Sequence, residues 1–405
     1  MSVSHALKGI KIADFSWAAA GPLTTKILGD CGATVVKIES GMRVDIARTS
    51  YPNAGGIPGV NRSAAFAEYN SSKYSITLNL NHPRGLEVAR RLIGWSDVVI
   101  ENFTPGNMDK WQLGYENLKA INPDIIMISM GIQGQTGPHA KAAGLGAMLS
   151  GLVGFTPLVG WPDRPPVGFP IPYTDYIAPW YAVVAIIGAL LHRSRTERGC
   201  YIDLSQSEAA LSFLSPAILD YTANGRVASC QGNRCPHAAP HSVYRCQDND
   251  RWCAIALFSD EEWRTFGHVI GEPEWTKEPK FATLPGRKEA ENELDALVES
   301  WTINHSAEEV MTMLQQAGLA AGVVKNGKDL HQDPQLKHRH HFHMLQHVEM
   351  GATSYESPSF KLSETPCEIS MPAPCFGEHT EFVCREILGI PDEELVQLLG
   401  CGAFE

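Results

Sequence analysis

No Gly-x-Gly-x-x-Gly follows the first predicted strand of this 405-residue chain, and no Gly-Lys-Ser/Thr loop occurs in it. The first absence excludes the usual nicotinamide site, and the second excludes a P-loop nucleotidase. Gly131-Ile132-Gln133-Gly134-Gln135-Thr136-Gly137-Pro138 is glycine-rich but lacks the phosphate-loop lysine. No Cys-x-x-Cys pair occurs, and the ten cysteines are scattered. They read as reduced thiols of a cytoplasmic protein. No run of Lys and Arg offsets the net charge of −12, so a nucleic-acid face is not expected. Met1 to Lys11 has no apolar signal core. The most apolar helix candidate, Trp180 to Leu191, is shorter than a membrane span. His338, His340, His341 and His343 lie close together, but no Cys or carboxylate stands at ligand spacing among them. No metal site is expected there.

What is present is an ordinary globular composition, 44% hydrophobic and 19% charged, in a chain too long for one core. Strand and helix alternate through the first third. Ile10 to Phe15 is an apolar strand, Gly21-Pro22 opens a helix that Gly32 ends, and Thr34 to Ile38 is the next strand. This βαβ unit implies a right-handed parallel crossover. An amphipathic helix over Asn81 to Gly94 places Leu86, Ala89, Leu92 and Ile93 on one side. Strands follow at Asp97 to Glu101, Ile125 to Met130 and Tyr201 to Leu204. The texture changes near Asn224, where short strands and three helices predict a smaller domain. The expected fold class is therefore α/β: an open Rossmann-like parallel sheet in a large domain, residues 1–223, plus a smaller α+β domain, 224–332. Residues 333–405 are expected to return to the large domain.

Asp175 stands where the proline-rich lead-in Pro162 to Pro172 meets a long apolar helix predicted to run to about Arg195. Apolar nearly all round, that helix reads as a buried spine. A carboxylate at such a junction lies beside free helix amides that keep it ionised. Two readings are open on spacing alone: an aspartate that caps the helix, and a functional carboxylate aimed into a cleft.

Several segments in order then match a known family. They are Leu7-Lys8-Gly9-Ile10-Lys11-Ile12-Ala13-Asp14-Phe15, Ala20-Gly21-Pro22, Gly32-Ala33-Thr34-Val35-Val36-Lys37-Ile38-Glu39, Glu101-Asn102-Phe103-Thr104-Pro105-Gly106, Gly134-Gln135-Thr136-Gly137-Pro138, Arg198-Gly199 and Gly377-Glu378-His379-Thr380. Over nearly its whole length the chain resembles the class III CoA-transferases. The resemblance implies two subunits threaded as interlocked rings, a homodimer or a heteromer with a paralogue. It implies a CoA-transferase that uses coenzyme A as part of its substrate and holds no permanent cofactor. It puts Asp175 on the family's nucleophile, a carboxylate that forms anhydride and aspartyl-CoA thioester intermediates. It places Asn102 and Phe103 in the CoA cleft and makes Lys110 and Lys141 its basic contacts. Where the family commonly has Leu-Asp-Leu-Lys, this chain has Leu78-Asn79-Leu80-Asn81. Arg48, Lys73 and Arg84 are the candidates to replace the missing lysine. The glycine often found four residues past the nucleophile is Pro179.

Gly160-Trp161-Pro162-Asp163-Arg164-Pro165-Pro166 leading to Tyr173-Thr174-Asp175-Tyr176 resembles a subgroup acting on aryl dicarboxylates, and the aromatic set Trp161, Phe169, Tyr173, Tyr176 and Trp180 reads either as the lining of an aryl pocket or as packing around the long helix. Its nearest named type is succinyl-CoA:benzylsuccinate CoA-transferase, which implies a succinyl-CoA donor, a benzylsuccinate-like acceptor and a place in aromatic degradation. Two rivals stand beside it. A racemase of α-methylacyl-CoA type needs an acid/base pair across the α-carbon. Ala142-Ala143-Gly144-Leu145-Gly146 occupies the region of its histidine, and His139 sits early. The other rival is a non-catalytic subunit of a heteromer.

Overall fold

The computed structural model describes residues 5–142 and 144–405. They divide into two compact units: 5–156, Gly168–Val227 and Pro334–Glu405 in the first, Pro157–Val167 and Ala228–Asp333 in the second. The stretch 157–167, expected in the large domain, lies with the second unit.

The first unit is built on a six-stranded parallel sheet. Its strands are β1 (Lys11–Asp14), β2 (Thr34–Glu39), β3 (Lys73–Thr77), β4 (Val98–Glu101), β5 (Ile126–Gly131) and β6 (Tyr201–Ser205). Their order is β3-β2-β1-β4-β5-β6. Helices cover both faces of such a sheet, so its strands read as near-continuous apolar runs. Ile12, Ala13, Val35, Val36, Val98, Val99 and Ile100 are fully buried. The helix Pro83–Trp95 buries Val88, Ala89, Leu92 and Ile93 in the same core. Strand β3 escapes the apolar pattern because its inward positions include Lys73 and Ser75, both buried.

Strand order reverses between β1 and β4. In open α/β sheets a ligand crevice lies outside the carboxyl ends of the strands at that point. Here Trp17 meets Asn102 and Phe103 across it.

Buried ion pairs underlie this crevice. Lys73 meets Asp14 at 3.2 Å, Lys37 meets Asp45 at 3.3 Å, and Arg48 meets Glu39 at 2.6 Å. Burial would raise the Asp14 carboxyl, but Lys73, Lys37 and the hydroxyls of Ser16 and Thr25 hold it below its ordinary value. Arg48 also donates to the carbonyl of Pro374 and lies 3.5 Å from the centre of the Phe66 ring.

Residues Pro334–Glu405 belong to this unit. A hairpin of β10 (Phe342–His347) and β11 (Gly351–Glu356) leads the way; β7 (His241–Arg245), β8 (Trp252–Ala256) and β9 (Ala320–Val323) belong to the second unit. A helix at Asp392–Gly400 packs Leu395 and Leu398 into the sheet core. The expected helix from Thr380 is one turn, Thr380–Phe382, widening into a π turn over Val383–Ile387. Cys31 and Cys367, 336 residues apart in sequence, form a disulfide. That corrects the expectation of ten free thiols: only the returning chain brings the two together.

The second unit is an antiparallel sheet of β7 (His241–Arg245), β8 (Trp252–Ala256) and β9 (Ala320–Val323). Its core packs Tyr244 and Ile255 with Trp263, Phe266, Leu294, Val298, Val310 and Leu314 from the helices. Strand β9 gives little sequence signal because Ala320, Ala321 and Gly322 carry almost no side chain.

The long helix of the first unit spans Tyr173–Thr196. Its 24 residues are long and apolar enough to cross a membrane, which the shorter expected run was not. It is not buried all round. Ile177, Ala178, Ala182, Ile186 and Ala189 face inward, while Trp180, Tyr181, Val184, Ile187 and Leu191 are exposed.

Replacing Lys73 by Met strands the Asp14 carboxylate in the interior. We predict a loss of about 3–5 kcal/mol in urea unfolding. The double variant Asp14→Asn/Lys73→Met should regain part of that loss, and an unchanged midpoint in the single variant would contradict the account.

Candidate active site

Asp175 is the third residue of its helix, not its cap: Pro172 holds the cap position, and no side chain caps the helix. The capping reading of Asp175 therefore falls. Its backbone N–H donates to the Pro172 carbonyl at 2.8 Å. Four residues on, Pro179 has no N–H to give the Asp175 carbonyl, so the first turns lack one internal bond.

The carboxylate rests on a glycine. Gly146 opens the short helix Gly146–Leu152, and its carbonyl accepts from the Thr174 hydroxyl at 3.2 Å. A Cβ on Gly146 would lie 2.6 Å from Asp175 Oδ1 and 2.6 Å from Pro172 Cβ. Among the described residues the carboxylate has no hydrogen bond and no cation partner. Burial alone pushes its pKa up to about 6. This corrects the expectation that helix amides dominate: desolvation outweighs them. At pH 7 roughly 90% of the group is still ionised. A half-buried, unpaired carboxylate is costly to keep and reactive toward an electrophile.

Rings gather at the start of the helix. Phe169 stacks on Tyr173 at 5.1 Å, and Phe155 meets both edge-on at 6.0 and 5.7 Å. The rest of the expected aromatic set does not join them. Tyr176 turns to Tyr69, Trp180 is 41% exposed, and Trp161 lies in the second unit, close against Gly232.

At the crevice, Asn102 Nδ2 donates to the Trp17 carbonyl at 2.7 Å and its Oδ1 accepts from Trp17 N–H at 2.8 Å. Lys37 Nζ donates to the Ser16 carbonyl at 2.8 Å, and Asp45 accepts from Ala18 N–H at 2.9 Å. These bonds hold Ala18 at a φ of 63°, a left-handed conformation unusual for alanine. Asn102 thus shapes the loop with both ends of its amide. Phe103 stands edge-on between Trp17 and Trp111, with ring centres 5.9 and 5.6 Å away.

Of the expected basic contacts, Lys110 and Lys141 are exposed, and Lys110 donates to Asn107. Arg48 and Lys73 are corrected. Both are fully buried and ion-paired, so neither offers a phosphate its charge. Arg84 is engaged by Glu87 and Glu394. Asn81, at the position of the missing lysine, accepts from Trp111 Nε1 at 3.0 Å. The sequence reading missed Arg43, an exposed cation 5.7 Å from the Trp17 ring. Its one sequence signal is its place in the loop that follows β2.

The protein-family model described as CoA-transferase family III matches residues 7–380. The succinyl-CoA–D-citramalate CoA-transferase of Chloroflexus aurantiacus is 30% identical, over 97% of this chain and 96% of that relative. The succinyl-CoA–L-malate CoA-transferase beta subunit of the same organism is also 30% identical, over 97% and 96%. A crystal structure of a CAIB/BAIF family protein from Brucella suis superposes with a TM-score of 0.87 at 32% identity, covering 95% of this chain and all of that one.

Gly146→Ala drives a methyl into the Asp175 carboxylate or Pro172. We predict a cost of about 1–3 kcal/mol in urea unfolding. Gly151→Ala, in the same helix with its nearest neighbour 3.8 Å away, should be neutral or stabilising by up to about 1 kcal/mol. Equal effects of the two would remove the special role of Gly146.

Proposed function

The chain belongs to CoA-transferase family III and is a CoA-transferase; on that premise we propose that it moves CoA from succinyl-CoA to a dicarboxylic acid by a covalent relay on Asp175. The observation that carries this reading is the unpartnered carboxylate seated on Gly146.

An Asp175 oxygen attacks the thioester carbonyl carbon, and CoA leaves as its thiolate. A mixed anhydride between Asp175 and the acyl group remains. The thiolate then attacks the aspartyl carbonyl, releasing the donor acid and leaving an aspartyl-CoA thioester. The acceptor carboxylate attacks that thioester and expels the thiolate again. The thiolate takes the acceptor's acyl carbon from the second anhydride and restores Asp175. The relay divides one hard exchange into four easier displacements. An anhydride hydrolyses readily, so a site that excludes water serves it.

The bare environment of Asp175 supports the role. A paired or hydrogen-bonded carboxylate would surrender nucleophilicity to its partners, and this one has none among the described residues. Among the described residues no histidine bonds or ion-pairs with it to complete a racemase acid/base pair.

Aliphatic four- and five-carbon dicarboxylates are favoured as acceptors by the names of the two Chloroflexus relatives. An aryl dicarboxylate such as benzylsuccinate is the second reading, and Phe155, Phe169 and Tyr173 favour it. CoA itself is read into the crevice at the β1–β4 reversal. Phe103 and Trp17 offer it aromatic surface, and Arg43, Lys110 and Lys141 offer cations for its phosphates. A second copy or a paralogous subunit is proposed to cover the exposed apolar side of the long helix, from Trp180 to Leu191.

The test of the reading is chromatography of acyl-CoA products from succinyl-CoA and a panel of free acids, with the protein alone and with any paralogue. New CoA esters are expected. Deuterium exchange at an α-carbon with no new ester would instead favour the racemase. Asp175→Asn should lower turnover by at least ~1,000-fold, roughly 4 kcal/mol. A freshly purified Asn variant with near-normal turnover, deamidation excluded by mass, would end the relay.

The same variant carries a pH signature. Asp175 has a folded pKa near 6 against an ordinary 3.8. Keeping it ionised therefore costs stability above that range, up to about 3 kcal/mol, and nothing below pH 3.8. Asp175→Asn should melt higher than wild type at pH 8, with the gap closing as pH falls through 6 to 4. A gap that is constant with pH would contradict the raised pKa.

Arg43→Ala, Lys110→Ala and Lys141→Ala are each expected to weaken CoA binding in calorimetry by about 10-fold at low salt. Unchanged affinity in all three would move the nucleotide elsewhere.

A further inference from the structure

Tyr176, next to the nucleophile, shares a hydrogen bond with Tyr69 at 2.6 Å between hydroxyl oxygens. The rings meet edge-on, 6.1 Å between centres. Tyr69 ends the helix Ala64–Tyr69, and it packs with Phe66, Ala67, Ala19 and Tyr355 in a small apolar cluster that Tyr176 borders. That cluster fixes both rings without offering their hydroxyls a polar partner.

Two phenols carry two protons. One lies in the bond between them, whichever oxygen donates. The other has no acceptor among the described residues: neither hydroxyl makes a second hydrogen bond. Donors at the edge of a reactive site are seldom left so, because an unmet donor costs free energy that a ligand oxygen can restore. Burial, with the charge of Asp175 nearby, raises both phenols, so the spare group remains a donor at neutral pH.

We infer that the Tyr69–Tyr176 pair is an acyl-recognition site, whose spare hydroxyl proton is donated to the free carboxylate of a dicarboxylic acyl group while Asp175 engages the other end. The inference rests on the CoA-transfer reading above. Successive residues of a helix point about 100° apart, and Tyr176 makes no hydrogen bond to Asp175. The hydroxyl therefore addresses a part of the ligand removed from the attacked carbonyl. Because the two phenols hold one another, the donor is oriented before the acyl group arrives, which reduces the ordering cost of binding. A monocarboxylic acyl group would leave the donor unmet, so the pair would select for a second carboxylate.

The test is single-turnover release of succinate from succinyl-CoA and of butyrate from butyryl-CoA, a half-reaction that needs no acceptor acid. Wild type is expected to prefer succinyl-CoA. Tyr176→Phe should slow the succinyl-CoA half-reaction by about 10- to 100-fold and the butyryl-CoA half-reaction by less than about 3-fold. Tyr69→Phe should act in the same direction, because it unfastens the partner. Equal losses on both thioesters, or no loss on succinyl-CoA, would overturn the inference. A wild type that releases neither acid and carries no adduct on Asp175 would instead bring down the CoA-transfer reading, and this one with it.

Discussion

The Asp14 carboxylate, sealed at the carboxyl end of β1 against Lys73, Ser16 and Thr25, is the interaction on which the crevice depends. A charge there has no access to water, so it survives only while its neighbours satisfy it. Lys73 comes from β3, two strands away, and also donates to the carbonyl of Pro22 at 2.7 Å. It thus links the opening of the helix Ala20–Asp30 to the sheet. Lys37 and Asp45 extend the same hold to the backbone of Ser16 and Ala18, and Arg48 continues it to Glu39. The loop after β1 is set by charges that no ligand reaches.

That stiffness makes the contrast at Asp175 informative. One carboxylate in this unit is over-supplied with partners and another has none among the described residues. The first positions backbone; the second is held by shape, on Gly146 and behind Pro172, and keeps its lone pairs free. Its raised pKa is the thermodynamic price of that freedom. Asn102 belongs with the first group. Its amide is spent on Trp17, and its effect on a ligand passes through the ring it places beside Phe103.

Much of this was legible in the sequence. The run Ile12–Ala13, the βαβ spacing and the stripe Ala89, Leu92, Ile93 report burial on one face or both, a local property of side-chain chemistry. Asp175 stood out because a proline-rich approach and a long apolar helix met at it. Arg48 and Lys73 were misjudged for an equally physical reason. A cation in a sequence looks the same whether it faces solvent or a carboxylate brought in from another strand. Strands β3 and β9 were missed because one hides polar residues inward and the other has almost no side chains.

Sequence alone determined the alternation of strand and helix and the residue types available for acyl transfer, since these follow from local periodicity and from the order of motifs. Tertiary structure alone decided which charges are spent and which are free. Glu39 claims Arg48 and Asp14 claims Lys73, while Arg43 stays in the open beside Trp17. Cys31 finds Cys367 across most of the chain, and Tyr69 finds Tyr176 beside Asp175. The pairs Asp14–Lys73, Cys31–Cys367 and Tyr69–Tyr176 join residues distant in sequence, and desolvation, which sets the energy of a charge or a hydroxyl, is known only once the chain has closed around it.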